Sequence, residues 1–198
     1  MRSGGKSRQA LPDDKQFVPD QLRTARLLLR RWQESDAAAL APVLAVNVDH
    51  LSPWIPKRVA EPATGEKLAE RLRDFSAAFD AQREWRFGLF AADDRRLLGE
   101  VSLFPRDASG RVAFDAAVEI EIGYWIRGDE TGRGFASEAA RAAIELASAL
   151  PHVSRLTIRC DERNAPSAAI PRRLGFRLAS TSFEADRLQT WEVRAPFT

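Results

Sequence analysis

The chain has 198 residues, 44% of them apolar, which suits one α/β domain with chain enough for a real core. Thirty basic residues, mostly arginine, stand against 28 acidic ones spread along the whole chain; a formal +2 without a basic stripe argues against nucleic-acid binding, yet can favour an anionic cofactor. A single cysteine, Cys160, excludes an internal disulfide, two distant histidines (His50, His152) give no metal-site spacing, and no apolar run approaches the roughly 18 residues of a membrane span. With no signal-peptide core at the N-terminus, the sequence reads as cytoplasmic.

In chain order, residues 1 to about 20 are polar and rich in Gly, Pro and charge, and are expected to form a flexible tail before a domain over 21–198. Leu22 to Trp32 reads as a strand with basic ends. Ser35 has the chemistry of an N-cap for a helix from Asp36 to about Val46. Residues 47–57, with two prolines and Trp54, read as an ordered loop, and Trp54 and Ile55 either line a pocket or cap the core. Thr64 starts a helix to about Ala81, with Leu68, Leu72, Phe75 and Phe79 forming a core stripe. Trp85–Ala91 and Leu97–Pro105 read as a hairpin about an Asp93–Asp94 turn, followed by a loop over 106–115.

Glu119 to Arg141 organises the chain. Val118, Ile120, Ile122, Tyr124 and Ile126 alternate with Glu119, Glu121, Gly123 and Trp125, the period of a strand with two different faces. A helix follows, with Phe135, Ala139, Ala143, Ile144 and Ala147 on one stripe and Glu138, Arg141 and Glu145 spaced for ion pairs. The intervening Gly128–Gly134 turn delivers free amides and a positive dipole end at a helix start, and Gly132 and Gly134 admit close approach of a large anion. The same glycines serve equally well in a plain strand-to-helix turn. Glu119 and Glu121 share a strand face about 7 Å apart, either solvating it or supplying a general base. After Pro151, Ser154–Cys160 reads as a strand, with Cys160 continuing its apolar alternation as a core residue. A short helix from about Pro166 is closed by Gly175, with Asn164 and Ser167 at its start either capping it or touching a ligand. Strands near 177–184 and 187–195 finish the chain.

The turn T-G-R-G-F-A-S-E-A (131–139), preceded by E-I-G-Y-W-I (121–126), resembles the acetyl-CoA signature of the GNAT N-acetyltransferases. The segment D-E-R-N-A-P-S-A-A-I-P-R-R-L-G-F (161–176) resembles their second motif, in the form seen in the ribosomal-protein N-terminal acetyltransferase branch. The resemblance covers roughly residues 20–197. It implies a single α/β domain with a mixed, mostly antiparallel sheet of about seven strands flanked by helices. It further implies acetyl-CoA as cosubstrate, held by backbone amides of Gly132, Arg133, Gly134, Phe135, Ala136 and Ser137, by main chain at Tyr124, Trp125 and Ile126, and by Asn164. Glu121 matches the proton-relaying carboxylate and Ser167 the serine that protonates or steadies the departing thiolate. The implied reaction is direct attack by a neutral amine, with a main-chain N–H near a bulge in the central strand polarising the carbonyl. No metal is implied.

Two positions depart from the family pattern. Asp129 stands where Gln or Arg is common, so side-chain help to the phosphates falls to Arg127 or Arg133. Tyr124 is the sole tyrosine, so no tyrosine follows the second motif, and the acid is Ser167 or water. The acceptor is expected to be a protein or peptide N-terminus, with a small amine (amino acid, polyamine or antibiotic) or a non-catalytic acetyl-CoA-binding module as alternatives. Loops at 47–60 and 106–116 are expected to shape its site. An open acidic groove favours a peptide; a closed apolar pocket around Trp54, Ile55 and Trp85 favours a small molecule. The chain is expected to act as a monomer or homodimer, without nucleic acid or membrane.

Overall fold

In chain order the computed structural model forms β1 (Gln21–Arg23), β2 (Leu27–Arg31), α1 (Ala37–Leu51), α2 (Lys57–Ala60), α3 (Gly65–Asp80), β3 (Trp85–Ala91) and β4 (Leu97–Asp107). There follow β5 (Gly110–Arg111), β6 (Glu119–Ile126), α4 (Phe135–Ser148), β7 (Arg155–Asp161), α5 (Ala165–Arg173), β8 (Arg177–Thr181) and β9 (Leu188–Arg194). The structure describes residues 18–93, 95–182 and 187–197. Most of the expected tail, Asp94 of the expected turn and the end of the 177–184 strand lie outside the described residues. At the tail's other end Val18 is fully buried, and Asp20 accepts a backbone bond from Arg31, so the packed chain already includes Val18–Asp20.

One sheet carries the order β1-β2-β3-β4-β6-β7-β9-β8, with β5 paired to β4. Every pairing is antiparallel except β6 with β7. Nine strands stand where about seven were expected. The 22–32 stretch folds back on itself, because the Thr24 backbone and hydroxyl close a tight turn onto Leu27, and two residues of the 106–115 loop pair as β5.

Other differences have local causes. Ser35 caps nothing: a 3-10 turn over Glu34–Asp36 leads into α1, and the Asp36 carboxylate accepts from the Gln33 N–H at 2.8 Å while pairing with Arg30 at 2.7 Å. α1 continues past Val46 to Leu51, because Asn47 turns its side chain to tertiary use. The helix from Gly65 and the hairpin Trp85–Ala91 with β4 follow the expected periodicity, and Leu68, Leu72, Phe75 and Phe79 are all buried. Gly175, at φ +84°, ends α5 with the Phe176 N–H bonded to the Pro171 carbonyl, a Schellman closure.

The sheet separates two cores. Leu27, Leu29, Phe87, Leu103, Ile120, Ile122 and Ile158 pack under the buried stripe of α4, Phe135–Ala139–Ala143–Ala147. Leu28, Trp32, Phe90 and Trp125 pack on the other face against α1 and α3. β6 is therefore buried on both faces along much of its length, and its alternation sorts two cores, with Glu119 and Glu121 at the end of the second face.

Candidate active site

β6 and β7 run side by side only from Glu119–Ile122 against Arg155–Ile158. β4 stays paired with β6 out to Gly99↔Ile126 on the other edge, in unbroken register. The expected bulge in the central strand is therefore not formed. Instead β7 leaves, and from Gly123 to Ile126 the edge of β6 that faced it has no strand partner among the described residues. Backbone groups left free on a strand edge bind an extended, amide-bearing ligand by strand-like pairing.

This opening leads to the start of α4. Gly132 and Gly134 hold φ of +76° and +82°, a left-handed backbone that glycine adopts without steric cost. The first helical bond runs from the Glu138 N–H to the Gly134 carbonyl, so the amides of Phe135, Ala136 and Ser137 lack a helical acceptor. Together with the dipole they form an anion cradle. The residues thus fit acetyl-CoA: amides for its pyrophosphate and, for its pantetheine, a strand edge without a strand partner among the described residues, on which the Ile126 carbonyl alone meets a side chain, His50.

The sequence reading missed what holds the cradle in place. The Glu138 carboxylate accepts from Thr24 Oγ1 at 2.5 Å, the Arg26 N–H at 3.0 Å and Arg26 Nε at 2.6 Å. Glu138 is thus drawn to the β1–β2 turn, and the expected ion pair with Arg141 does not form. Arg26 also donates to the Arg133 carbonyl at 2.9 Å and lies 4.6 Å over the Phe135 ring. Burial raises the Glu138 pKa, but the bonds from Thr24 and Arg26 outweigh it and leave it lowered. Arg127 is turned to Asp129 and the Leu97 carbonyl, and Arg133 to the buried Glu130. Arg173, on α5, reaches Ser137 Oγ at 3.3 Å.

The two carboxylates of β6 have different surroundings. The Glu119 side chain is 2% exposed, bonded by Thr157 Oγ1 at 2.7 Å and paired with Arg155 and Arg159, a closed structural site. Glu121 is 17% exposed, between Arg106 at 2.8 Å and Arg159 at 3.5 Å. The Arg106 contact lacks hydrogen-bond geometry. Glu121 Oε2, Arg106 Nε and Arg159 Nε are three of six buried side-chain polar atoms without a hydrogen-bond partner among the described residues. Native interiors leave few such atoms, and half of these gather around one carboxylate beside the strand opening.

Across the strand from that face, Tyr124 points to the other core. Its hydroxyl donates to the Ser167 carbonyl at 3.1 Å and lies 3.5 Å from Ser167 Oγ. Burial pushes the phenol pKa well up, partly offset by its bond to Ser167, so the group keeps its proton at neutral pH. Asn164 caps α5, its Oδ1 accepting from the Ser167 N–H at 3.2 Å, which leaves its amide hydrogens for a ligand. Cys160 is buried and its thiol pKa raised by burial, as suits a packed residue.

Asn47 ties α1 to the glycine turn: its Oδ1 accepts from the Gly128 N–H at 2.6 Å, and its Nδ2 donates to Val43. His50 Nε2 lies 3.2 Å from the Ile126 carbonyl. On the Glu121 side, α3 and the segments holding Arg58 and Arg111–Ala113 enclose a cleft of about 700 Å³. Both loops expected to shape an acceptor site contribute to it. It is open and charged, with more cations than anions, neither the acidic groove nor the apolar pocket anticipated. Trp85 is buried on the opposite face against Phe114, and Trp54 is 40% exposed.

Here a parted strand pair leads to a helix that starts from glycines in left-handed backbone. Residues 26–177 match the acetyltransferase (GNAT) domain, and the chain belongs to the GNAT acetyltransferase family, acyltransferases that use acetyl-CoA. It is 30% identical over 155 residues to the [ribosomal protein uS5]-alanine N-acetyltransferase of Escherichia coli (strain K12), covering 78% of this chain and 77% of that one. It is 25% identical over 155 residues to the probable N-acetyltransferase YjcK of Bacillus subtilis (strain 168), covering 78% and 82%. Among solved structures, the ribosomal L7/L12 alpha-N-protein acetyltransferase RimL, in complex with coenzyme A, superposes with a TM-score of 0.73 at 19% identity, over 86% of this chain and 95% of that one. Among the described residues no helix is long and apolar enough to cross a membrane, and no cluster of three His, Cys, Asp or Glu side chains could hold a metal.

Proposed function

We propose that the protein transfers an acetyl group to the α-amine at the N-terminus of a protein or peptide. The observation that carries this reading is the Glu121 carboxylate, held between Arg106 and Arg159 beside the β6–β7 opening and on the same sheet face as an open cleft. An open cleft suits an extended chain, and relatives named as ribosomal-protein N-acetyltransferases support the same acceptor class.

Bound acetyl-CoA supplies an activated thioester. The amides of residues 132–137 hold its pyrophosphate, and the free edge of β6 from Tyr124 to Ile126 aligns its arm, with Asn164 contributing its side-chain amide. Glu121 takes the proton of the attacking amine, directly or through one water, and Arg106 and Arg159 fix where its oxygens sit. On the other side of β6, the Ser167 hydroxyl, 3.5 Å from the Tyr124 hydroxyl, is assigned to steady or protonate the departing thiolate, with water as the other source of that proton. The period of the strand thus separates proton acceptor from proton donor. With both groups held in place, the gain comes from orientation, and no covalent enzyme intermediate is required.

The test is thiol release from acetyl-CoA with peptides beginning in Ala, Ser or Met, their N-blocked forms, polyamines, free amino acids and aminoglycosides. Free peptide N-termini are expected to turn over and blocked ones not. Glu121→Gln is expected to lower kcat roughly hundredfold while acetyl-CoA still binds. Turnover restricted to small amines overturns the peptide reading, and an unchanged kcat in Glu121→Gln removes that residue from the mechanism.

A further inference from the structure

The cleft on the Glu121 face of the sheet carries a charge pattern that amine transfer alone does not use. Five cationic side chains line it, Arg58, Lys67, Arg71, Arg83 and Arg111, against three carboxylates. The most buried of these carboxylates, Glu84, is shared among Arg86 at 2.8 Å, Arg111 at 2.9 Å and Arg58 at 3.7 Å. Arg86 is itself divided between Glu84 and Glu100. Arg71 is half-buried and donates to the carbonyls of Val59 and Glu61, at 3.3–3.4 Å; burial lowers its pKa although the charges of Glu61 and Glu100 pull the other way. Arg111 lies 3.8 Å over the Phe104 ring, and burial lowers its pKa too, although Glu84 and Glu121 pull the other way. Cations held partly out of water without a carboxylate each are in deficit, and an incoming anion relieves them.

The register fixes how far this charge lies from the chemistry. Phe104 is the cross-strand partner of Glu121, and Leu103 that of Trp85, so Glu84 lies two strands across from Glu121 on the same face. At roughly 4.8 Å per strand that is about 10 Å. An extended peptide covers it in about three residues at roughly 3.3 Å each. Resting on the peptide-acceptor reading above, we propose that the cleft receives an acidic side chain of the acceptor, about three residues after its reacting N-terminal residue.

The test uses Ala-initiated peptides identical except for Glu, Gln or Lys at the fourth position, measured by kcat/KM and, with CoA present, by calorimetric affinity. The Glu peptide is expected to exceed the Gln peptide roughly fivefold, the scale of one partly screened ion pair, with Lys lowest and the spread shrinking as salt rises. Lys67 and Arg83 are exposed, so the double variant Lys67→Glu/Arg83→Glu should fold, and it is expected to invert the order of the Glu and Lys peptides. Equal kcat/KM and equal affinity for the three peptides overturn the cleft proposal and leave the peptide acceptor standing. Ordered binding without turnover supports the cleft and overturns the peptide N-terminus as the reacting amine. No binding of any peptide overturns both.

Discussion

Gly132 and Gly134 both sit in left-handed backbone, yet their surroundings differ. A Cβ at Gly132 would meet nothing within 4 Å, whereas one at Gly134 would lie 3.4 Å from Arg26 Nη2. Alanine at either position incurs the backbone penalty of about 1–2 kcal/mol for a left-handed L-residue. At Gly134 it also crowds the guanidinium that holds the Arg133 carbonyl. Both substitutions are expected to lower Tm by a few degrees, at roughly 2–4 °C per kcal/mol for a chain of this size. Gly134→Ala alone is expected to raise the KM for acetyl-CoA severalfold beyond that of Gly132→Ala. Thermal melts and initial rates on the two variants separate strain from lost positioning, and equal KM values would remove Arg26 from the argument.

Among the elements, the start of α4 depends on a turn more than a hundred residues earlier. Glu138 sits in the first turn of a helix proposed to hold a pyrophosphate, where an unpaired carboxylate would repel the ligand. Arg26 neutralises it and fastens the Arg133 carbonyl, and from those contacts it is expected to act as a positioning residue. Arg26→Ala is expected to raise the KM for acetyl-CoA about tenfold with kcat within a factor of two, and Arg26→Lys to recover only part of the loss, since an ammonium cannot reproduce the fork geometry. A fall in kcat at unchanged KM would contradict the positioning role. These contacts also mark where sequence reading stops. The helices over 65–80 and 135–148 and the hairpin of β3 and β4 were legible because periodicity is a local signal. So was the order of glycine turn, carboxylate strand and capped short helix. The Arg26–Glu138 pair, separated by 112 residues, was not, and neither was the Asn47–Gly128 bond, which turned an expected loop residue into a helical anchor. The charge of the cleft likewise depends on which segments the sheet brings together.

For the molecule as a whole, ion pairs set the acid limit. Among the described residues six carboxylates have lowered pKa values: Asp107, Asp129 and Asp161, and three glutamates, Glu84 among Arg86, Arg58 and Arg111, Glu138 at the start of α4, and Glu192 among Arg194, Arg177 and Arg155. In the three glutamates burial is the largest single influence and raises the value, but the bonds and charges of the arginines, joined at Glu138 by the Thr24 hydroxyl, outweigh it. A depressed folded pKa means that the unfolded chain binds protons first as the pH falls. The stabilisation from these groups is therefore complete above the unfolded carboxylate value of about 4.3 and disappears as the pH drops through the lower folded values. Urea midpoints are expected to be flat from pH 7 to about 5 and to decline steeply below. Glu84→Gln tests one contributor: it is expected to lower the plateau, because Arg58 and Arg111 lose their shared partner, and to make the acid decline shallower, because one proton fewer is taken up on unfolding. Parallel declines in wild type and variant would show that the Glu84 pairings do not survive into the acid range, and would shift the acid limit to the other depressed carboxylates, Asp107, Asp129, Glu138, Asp161 and Glu192.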